Sequence, residues 1–145
     1  MAMLDIIDLK AHFSSPDGLV KAVNSVDLQI KDNERLGLIG ETGCGKTVLG
    51  MSIIRLLPSS AGVKGQIIYN GQDLLHLTEE EMRQLRGREI AMILQNPTTS
   101  LNPVLKVRDQ IAEVISLHKG LGKKEAKARA VQMLEAAMIP EAERR

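Results

Sequence analysis

The segment that most limits what this chain can become is Gly40-Glu41-Thr42-Gly43-Cys44-Gly45-Lys46-Thr47. It fits G-x-x-x-x-G-K-[ST] at every specified position. Glycine reaches backbone conformations closed to other residues and lets a ligand come close to the main chain. Successive N–H groups of such a loop turn inward and form a nest for an anion. A short apolar run, Arg35-Leu36-Gly37-Leu38-Ile39, precedes the loop. It has the composition of a buried strand. Helical spacing follows, in Val48, Leu49, Met51, Ile53, Ile54, Leu56 and Leu57. A helix that starts at the loop adds the partial positive charge of its N-terminus. Lys46 can reach the β- and γ-phosphates, and the Thr47 hydroxyl can ligate Mg²⁺. Residues 40 to 47 therefore read as a cradle for the phosphates of MgATP. Cys44 fills a variable position in that cradle. No base or acyl-transfer site accompanies it, so it reads as a reporter of bound nucleotide rather than as a nucleophile.

The remaining composition narrows the alternatives. The chain has 145 residues, enough for one modest domain with its own core. Its net charge is +1, which gives no global pull toward nucleic acid or acidic lipid. Phe13 and Tyr69 are the only aromatics, so a nucleic-acid reader that stacks bases on a row of rings is nearly excluded. Cys44 is the only cysteine, which rules out an internal disulfide and a cysteine-based zinc site. No run approaches the roughly 20 apolar residues that span a bilayer, and no basic-then-apolar leader opens the chain. A membrane role must come through partners.

Along the chain, residues 4 to 30 read as strands broken by the turn signal Ser14-Ser15-Pro16-Asp17-Gly18. Gly65 to Asn70 reads as a further strand, closed by an Asn70-Gly71 turn. Thr78 and Glu81 have capping-box spacing, with a short helix to about Leu85. Glu89 to Leu94 reads as a second buried strand. From about residue 105 the pattern is helical, with stripes at Val107, Ile111, Val114, Ile115 and His118, then at Ala126, Ala130, Met133, Leu134 and Ala137. His12, His76 and His118 share no ligand spacing and read as surface or structural residues. The Lys123, Lys124, Lys127 and Arg129 cluster reads as a solvated helix face, and Arg86-Gly87-Arg88 as surface rather than phosphate-binding.

The loop alone does not name a reaction. A guanine-reading N-K-x-D is absent, and a small kinase would place a substrate helix and an Arg-rich lid next. Instead the run Ile90-Ala91-Met92-Ile93-Leu94 ends in Gln95, followed by Asn96-Pro97-Thr98-Thr99-Ser100-Leu101-Asn102-Pro103. This resembles the Q-loop of the ATP-binding-cassette (ABC) ATPases, and in particular the oligopeptide, dipeptide and nickel importer branch. His12-Phe13, Pro16-Asp17-Gly18 before Ala22-Val23, Gly71-Gln72-Asp73-Leu74-Leu75 and Leu117-His118-Lys119-Gly120 are similar to that branch too. The resemblance covers nearly the whole chain. It implies an α/β fold, a P-loop NTPase core with an antiparallel β-subdomain, followed by the start of an α-helical subdomain. The implied division is residues 1–104 for the core part and 105–145 for the helical part.

The resemblance also implies roles. Phe13 matches the aromatic that stacks on adenine, with a place in the β-subdomain core as the competing view. Lys46 and Gln95 match catalytic positions, with Gln95, like Thr47, at the Mg²⁺. Residues 96 to 110 match the surface that receives integral membrane permease subunits, against the simpler view of a plain loop. A second ATPase subunit, homo- or heterodimeric, is the other implied partner, and no contact with nucleic acid or direct lipid insertion is implied. The implied location is cytoplasmic, peripheral on the inner face of the cell membrane. The implied function is coupling of ATP binding and hydrolysis to uptake of peptides or nickel.

Family members hydrolyse ATP with parts beyond these: an apolar strand ending in Asp-Glu, a switch His and a Ser-Gly-Gly signature. No Ser-Gly-Gly and no apolar strand ending in Asp-Glu occurs in these 145 residues. The expectation is an N-terminal fragment or a naturally truncated product that binds nucleotide without turnover. A non-catalytic nucleotide-binding module and a non-transport cassette ATPase are the alternatives. In the family the Asp-Glu strand lies within the central sheet, so apolar edges are expected to be left exposed.

Overall fold

The computed structural model describes residues 2–16, 18–95 and 100–145. They pack as two units, Met1–Arg86 and Gly87–Arg145. This division by packing falls earlier than the functional boundary at 104/105 that the sequence implies.

The first unit is built on an antiparallel sheet of four strands in the order β2-β1-β3-β4: β1 Ala2–Ser15, β2 Gly18–Lys31, β3 Ala61–Tyr69 and β4 Gln72–Asp73. The Ser14 to Gly18 turn signal becomes the hairpin between β1 and β2, where Ser15 pairs with Gly18 and its Oγ donates to the Gly18 carbonyl at 2.9 Å. β1 lies between β2 and β3, and Leu4, Ile6, Leu9 and Ala11 are buried along it. Those positions change phase between Ile6 and Leu9. A bulge there resets the alternation: the register shifts against both neighbours, and Asp8 has a φ of 46°. Ile7 is consequently turned out to solvent. The Asp8 amide donates to Asp27, and its carboxylate accepts from Lys10 and Ser25, which together fix the bulge. Asn70 and Gly71 both take positive φ, 48° and 82°, as a two-residue hairpin turn between β3 and β4 requires.

Two helices lie in the same unit, α1 at Lys46–Ile53 and α2 at Glu79–Leu85. Leu49, Ile54, Leu74 and Met82 are buried along with the sheet residues Val23 and Ile67. The capping box at α2 forms as its spacing predicts. The Glu81 amide donates to the Thr78 hydroxyl, and the Glu81 carboxylate accepts from the Thr78 amide at 2.7 Å.

Two sequence expectations are corrected. Neither Arg35–Ile39 nor Glu89–Leu94 is a strand, and neither is buried: Ile39 is 96% and Ile93 97% exposed. A strand with no flanking strand cannot satisfy its own amides and carbonyls. Among the described residues none lies alongside either run. Both runs stand as exposed apolar segments.

The second unit holds α3 at Val107–Lys119 and α4 at Lys123–Ala136. Gly120, at φ 63°, ends α3 in the left-handed conformation that favours glycine. Ala112, Ile115, Ala126 and Ala130 form the contact, with Ile111 and Leu121 packed against it. Three alanines let the two helices approach closely. Asp109 of α3 ties the two helices through Lys127 of α4 at 3.0 Å, and its own neighbour Arg108 pairs with it at 3.0 Å. The Arg108 hydrogen bond, then that of Lys127, holds the Asp109 carboxyl below its ordinary range. Lys127 of the basic cluster is therefore an ion-pair partner, not only a solvated charge. Helices beside an antiparallel sheet, then a helical pair, agree with the N-terminal part of an ABC ATPase.

Candidate phosphate-binding site

The loop at residues 40 to 47 leads directly into α1, as the motif requires. Gly45 stands at the helix N-cap with φ 95°, and no side chain caps that end. The amides of the first helical turn have no acceptor within the helix. They are left for a ligand. A side chain at Gly45 would meet the Ala22 carbonyl of β2 at 2.2 Å, so only glycine lets the loop lie this close to the sheet. Leu49 donates its amide to the Gly45 carbonyl at 2.8 Å, which starts the helix ladder.

Lys46 is turned back over the loop. Its Nζ donates to the carbonyls of Gly40 and Glu41, both at 2.7 Å, and lies 3.3 Å from Cys44 Sγ. A phosphate in the nest would draw at least one of those donors away, because an anion is the stronger acceptor. Thr47, Thr42 and Gly43 are exposed and Lys46 is half-buried. Next to the loop is a cleft of about 300 Å³, lined by Ala22, Val23, Leu38, Ile39, Gly45 and Lys46 among others. An uncapped helix end, a cationic amine and a glycine-only approach all suit a polyphosphate. Among the described residues no group of three His, Cys, Asp or Glu could hold a metal alone. A Mg²⁺ there would come with the nucleotide phosphates, which is how this ion is commonly bound, and the Thr47 hydroxyl is the protein ligand at hand.

Phe13 lies on β1 opposite Val20 of β2 and Ala61 of β3, and is partly exposed. Ala22, the residue Gly45 approaches, is two positions along β2 from Val20. The fold thus holds Phe13 and the loop in one unit, Phe13 on the β1–β2 hairpin and the loop against β2 of that hairpin at Ala22. Gln95 is different: it is exposed, follows the run 90–94, and belongs to the second unit.

Of the region 96–110, residues 96–99 lie outside those described. Residues 100–106 form a loop pinned to the first turn of α3. Gln110 accepts from the Asn102 amide at 2.9 Å and donates to the carbonyls of Asn102 and Leu105 at 3.0 and 3.1 Å. Leu101, Val104 and Leu105 are held outward, Val104 at 87% exposure. Sequence reading missed Gln110 in this role, because its partners lie up to eight residues away and share no motif with it. It also placed Arg86 at the surface. In the structure the Arg86 guanidinium donates to the carbonyls of Ile54 and Arg55 and pairs with Glu79, whose carboxyl it holds below its ordinary range.

Comparison with known proteins agrees with this geometry. The sequence pattern described as "ABC transporter" matches residues 23–145. The chain is 43% identical over 145 residues to a probable peptide ABC transporter ATP-binding protein, y4tR, of Sinorhizobium fredii. It is 42% identical to the oligopeptide transport ATP-binding protein OppD of Escherichia coli, and also 42% to that of Bacillus subtilis. Each comparison takes in 99% of this chain but only 40–43% of the relative, so the chain spans less than half the length of these proteins. Two solved structures share the fold. The dimeric MJ0796, described as a bacterial ABC transporter cassette, superposes with a TM-score of 0.76, at 19% identity over 96% of this chain and 59% of its own. Its post-hydrolysis dimer bound to ADP and Pi gives 0.75 at 18% identity, with the same coverage. With a family pattern matched over most of its length and a phosphate loop built as that pattern requires, this chain belongs to the ABC transporter family.

Proposed function

We propose that the chain is the nucleotide-binding part of a peptide importer's ATPase subunit, and that residues 40 to 47 hold MgATP. The uncapped N-terminus of α1 beneath Lys46 and Thr47 is the observation that carries this. Gly40, Glu41, Thr42, Gly43, Cys44 and Gly45 supply the loop, Lys46 the charge on the β- and γ-phosphates, and Thr47 the Mg²⁺ ligand. Phe13 stacks on the adenine. Gln95 takes the Mg²⁺ and the attacking water when the catalytic site is complete. Peptide is favoured over nickel as cargo because the relatives above are named for peptides or oligopeptides. Membrane permease subunits dock on the 96–110 region, where the outward Leu101, Val104 and Leu105 offer an apolar contact, and a second ATPase subunit completes each site. No helix among the described residues is long and apolar enough to cross a membrane. Attachment at the inner membrane face would run through those permease subunits.

Cys44 tests the site, because it is the only cysteine and lies exposed in the loop. A thiol-reactive dye should label it freely, and saturating MgATP should slow labelling by about tenfold or more, since a ligand in the nest covers the thiol. Labelling at the same rate with and without MgATP would refute the proposal.

A further inference from the structure

We propose that Arg86 is a positioning residue for the phosphate loop: it fixes the C-terminal end of α1, and through that helix the end that carries Lys46 and Thr47. The proposal rests on the reading of residues 40 to 47 as the phosphate site. Arg86 Nε donates to the Ile54 carbonyl at 2.7 Å and Nη2 to the Arg55 carbonyl at 3.2 Å. Its Nη1 is held by the Glu79 carboxylate. A helix end leaves its last carbonyls without donors of their own. α1 has no basic residue in its last turn to answer them. The Arg86 guanidinium, 31 and 32 residues further along the chain, takes the carbonyls of the C-cap Ile54 and of Arg55 just beyond it.

Arg55 closes the same joint from the other side. It has left the helix at φ 52°, and its Nη1 donates to the carbonyls of Leu74 and Leu77 at 3.0 and 2.6 Å. Two guanidiniums therefore tie the end of α1 to the segment 74–86 in both directions. The Arg86 side chain is only 19% exposed, whereas that of Glu79 is 70% exposed. The planar fork of arginine spreads its donors over three nitrogens, so Arg86 spans two carbonyls and a carboxylate that a single ammonium nitrogen would have to reach from one point. α1 has eight residues, so it is about 12 Å long and moves as one rod. A shift at its far end is carried to the amides of its first turn. At the other end of the rod the loop packs on β2, with Gly45 against Ala22 and Val23, so the two ends of α1 are held by separate contacts.

The experiment measures the affinity of a fluorescent N-methylanthraniloyl ATP with Mg²⁺, well below the melting range of each variant. Lys46→Ala should lose binding. Arg86→Ala should weaken it by about tenfold, and Arg86→Lys should recover only part of that loss. Ile67→Val, which trims a buried methyl group in the sheet, should lower the melting temperature and leave the affinity unchanged. Arg86→Ala with the parent's affinity, in a series where Lys46→Ala has lost binding, would overturn the positioning role and leave the phosphate site standing. Lys46→Ala that binds as well as the parent would remove the site itself, and this proposal with it. Should Arg86→Ala not fold, the exposed Glu79→Gln decides: about threefold weaker binding supports the role, and unchanged affinity overturns it.

Discussion

Gly45 shows how much one missing side chain can decide. Its φ of 95° lies where only glycine is unstrained, and a Cβ would stand 2.2 Å from the Ala22 carbonyl. Gly45→Ala should therefore destabilise the first unit by about 2 kcal/mol or more. Gly37→Ala is the contrast, because Gly37 has an ordinary φ and nothing within 4 Å of an added methyl. Thermal melts of the two variants should separate clearly, and equal melting temperatures would contradict this account of the loop. At this scale the loop and the helix it opens were legible, since each motif position reflects a local need: a turn, a charge, a hydroxyl. Arg86 and Gln110 were not legible. Their work is done on backbone carbonyls and amides, which carry no side-chain signature, and for Arg86 those carbonyls are more than thirty residues away.

Among the elements, α2 is the one whose start was most readable, because Thr78 and Glu81 answer each other's backbone amides. Thr78→Ala should cost about 1 kcal/mol. Hydrogen bonds from the Thr78 hydroxyl, then from its amide, hold the Glu81 carboxyl below its ordinary 4.5. A carboxyl that is harder to protonate folded than unfolded adds stability above its unfolded pKa. That contribution is lost as the pH falls below about 4.5 and through the lower folded value. Melting curves across that window should show a shallower acid-side loss in Thr78→Ala than in the parent, and identical slopes would count against the box. The strands were less evenly legible. Leu4, Ile6, Ile7 and Leu9 read as a plain apolar stretch, and nothing in that pattern announces the Asp8 bulge that turns Ile7 outward. Arg35–Ile39 and Glu89–Leu94 have strand composition but no strand partner among the described residues. Composition speaks for the segment, whereas a strand is a property of a pair.

For the molecule as a whole, those two runs set the character of the chain. Leu36, Leu38, Ile39, Ile93 and Leu94 are exposed apolar side chains in segments that read as buried strands. The relatives carry more than half of their length outside the stretch this chain matches, so they have residues with which to complete a sheet. The antiparallel sheet and the α3–α4 pair need no such help, since each buries its own core. The phosphate loop depends only on the first unit, through Gly45 against β2 and through the contacts at the far end of α1. It should therefore bind nucleotide in this chain even though the Asp-Glu strand and the signature used for hydrolysis are not among its residues. The most direct test is calorimetric titration of MgATP into this 145-residue chain and into Lys46→Ala, with phosphate release followed in parallel. The account predicts saturable binding by the parent, loss of that binding in Lys46→Ala, and no release of phosphate above background from either. Binding that survives in Lys46→Ala, or turnover that disappears with that substitution, would contradict it.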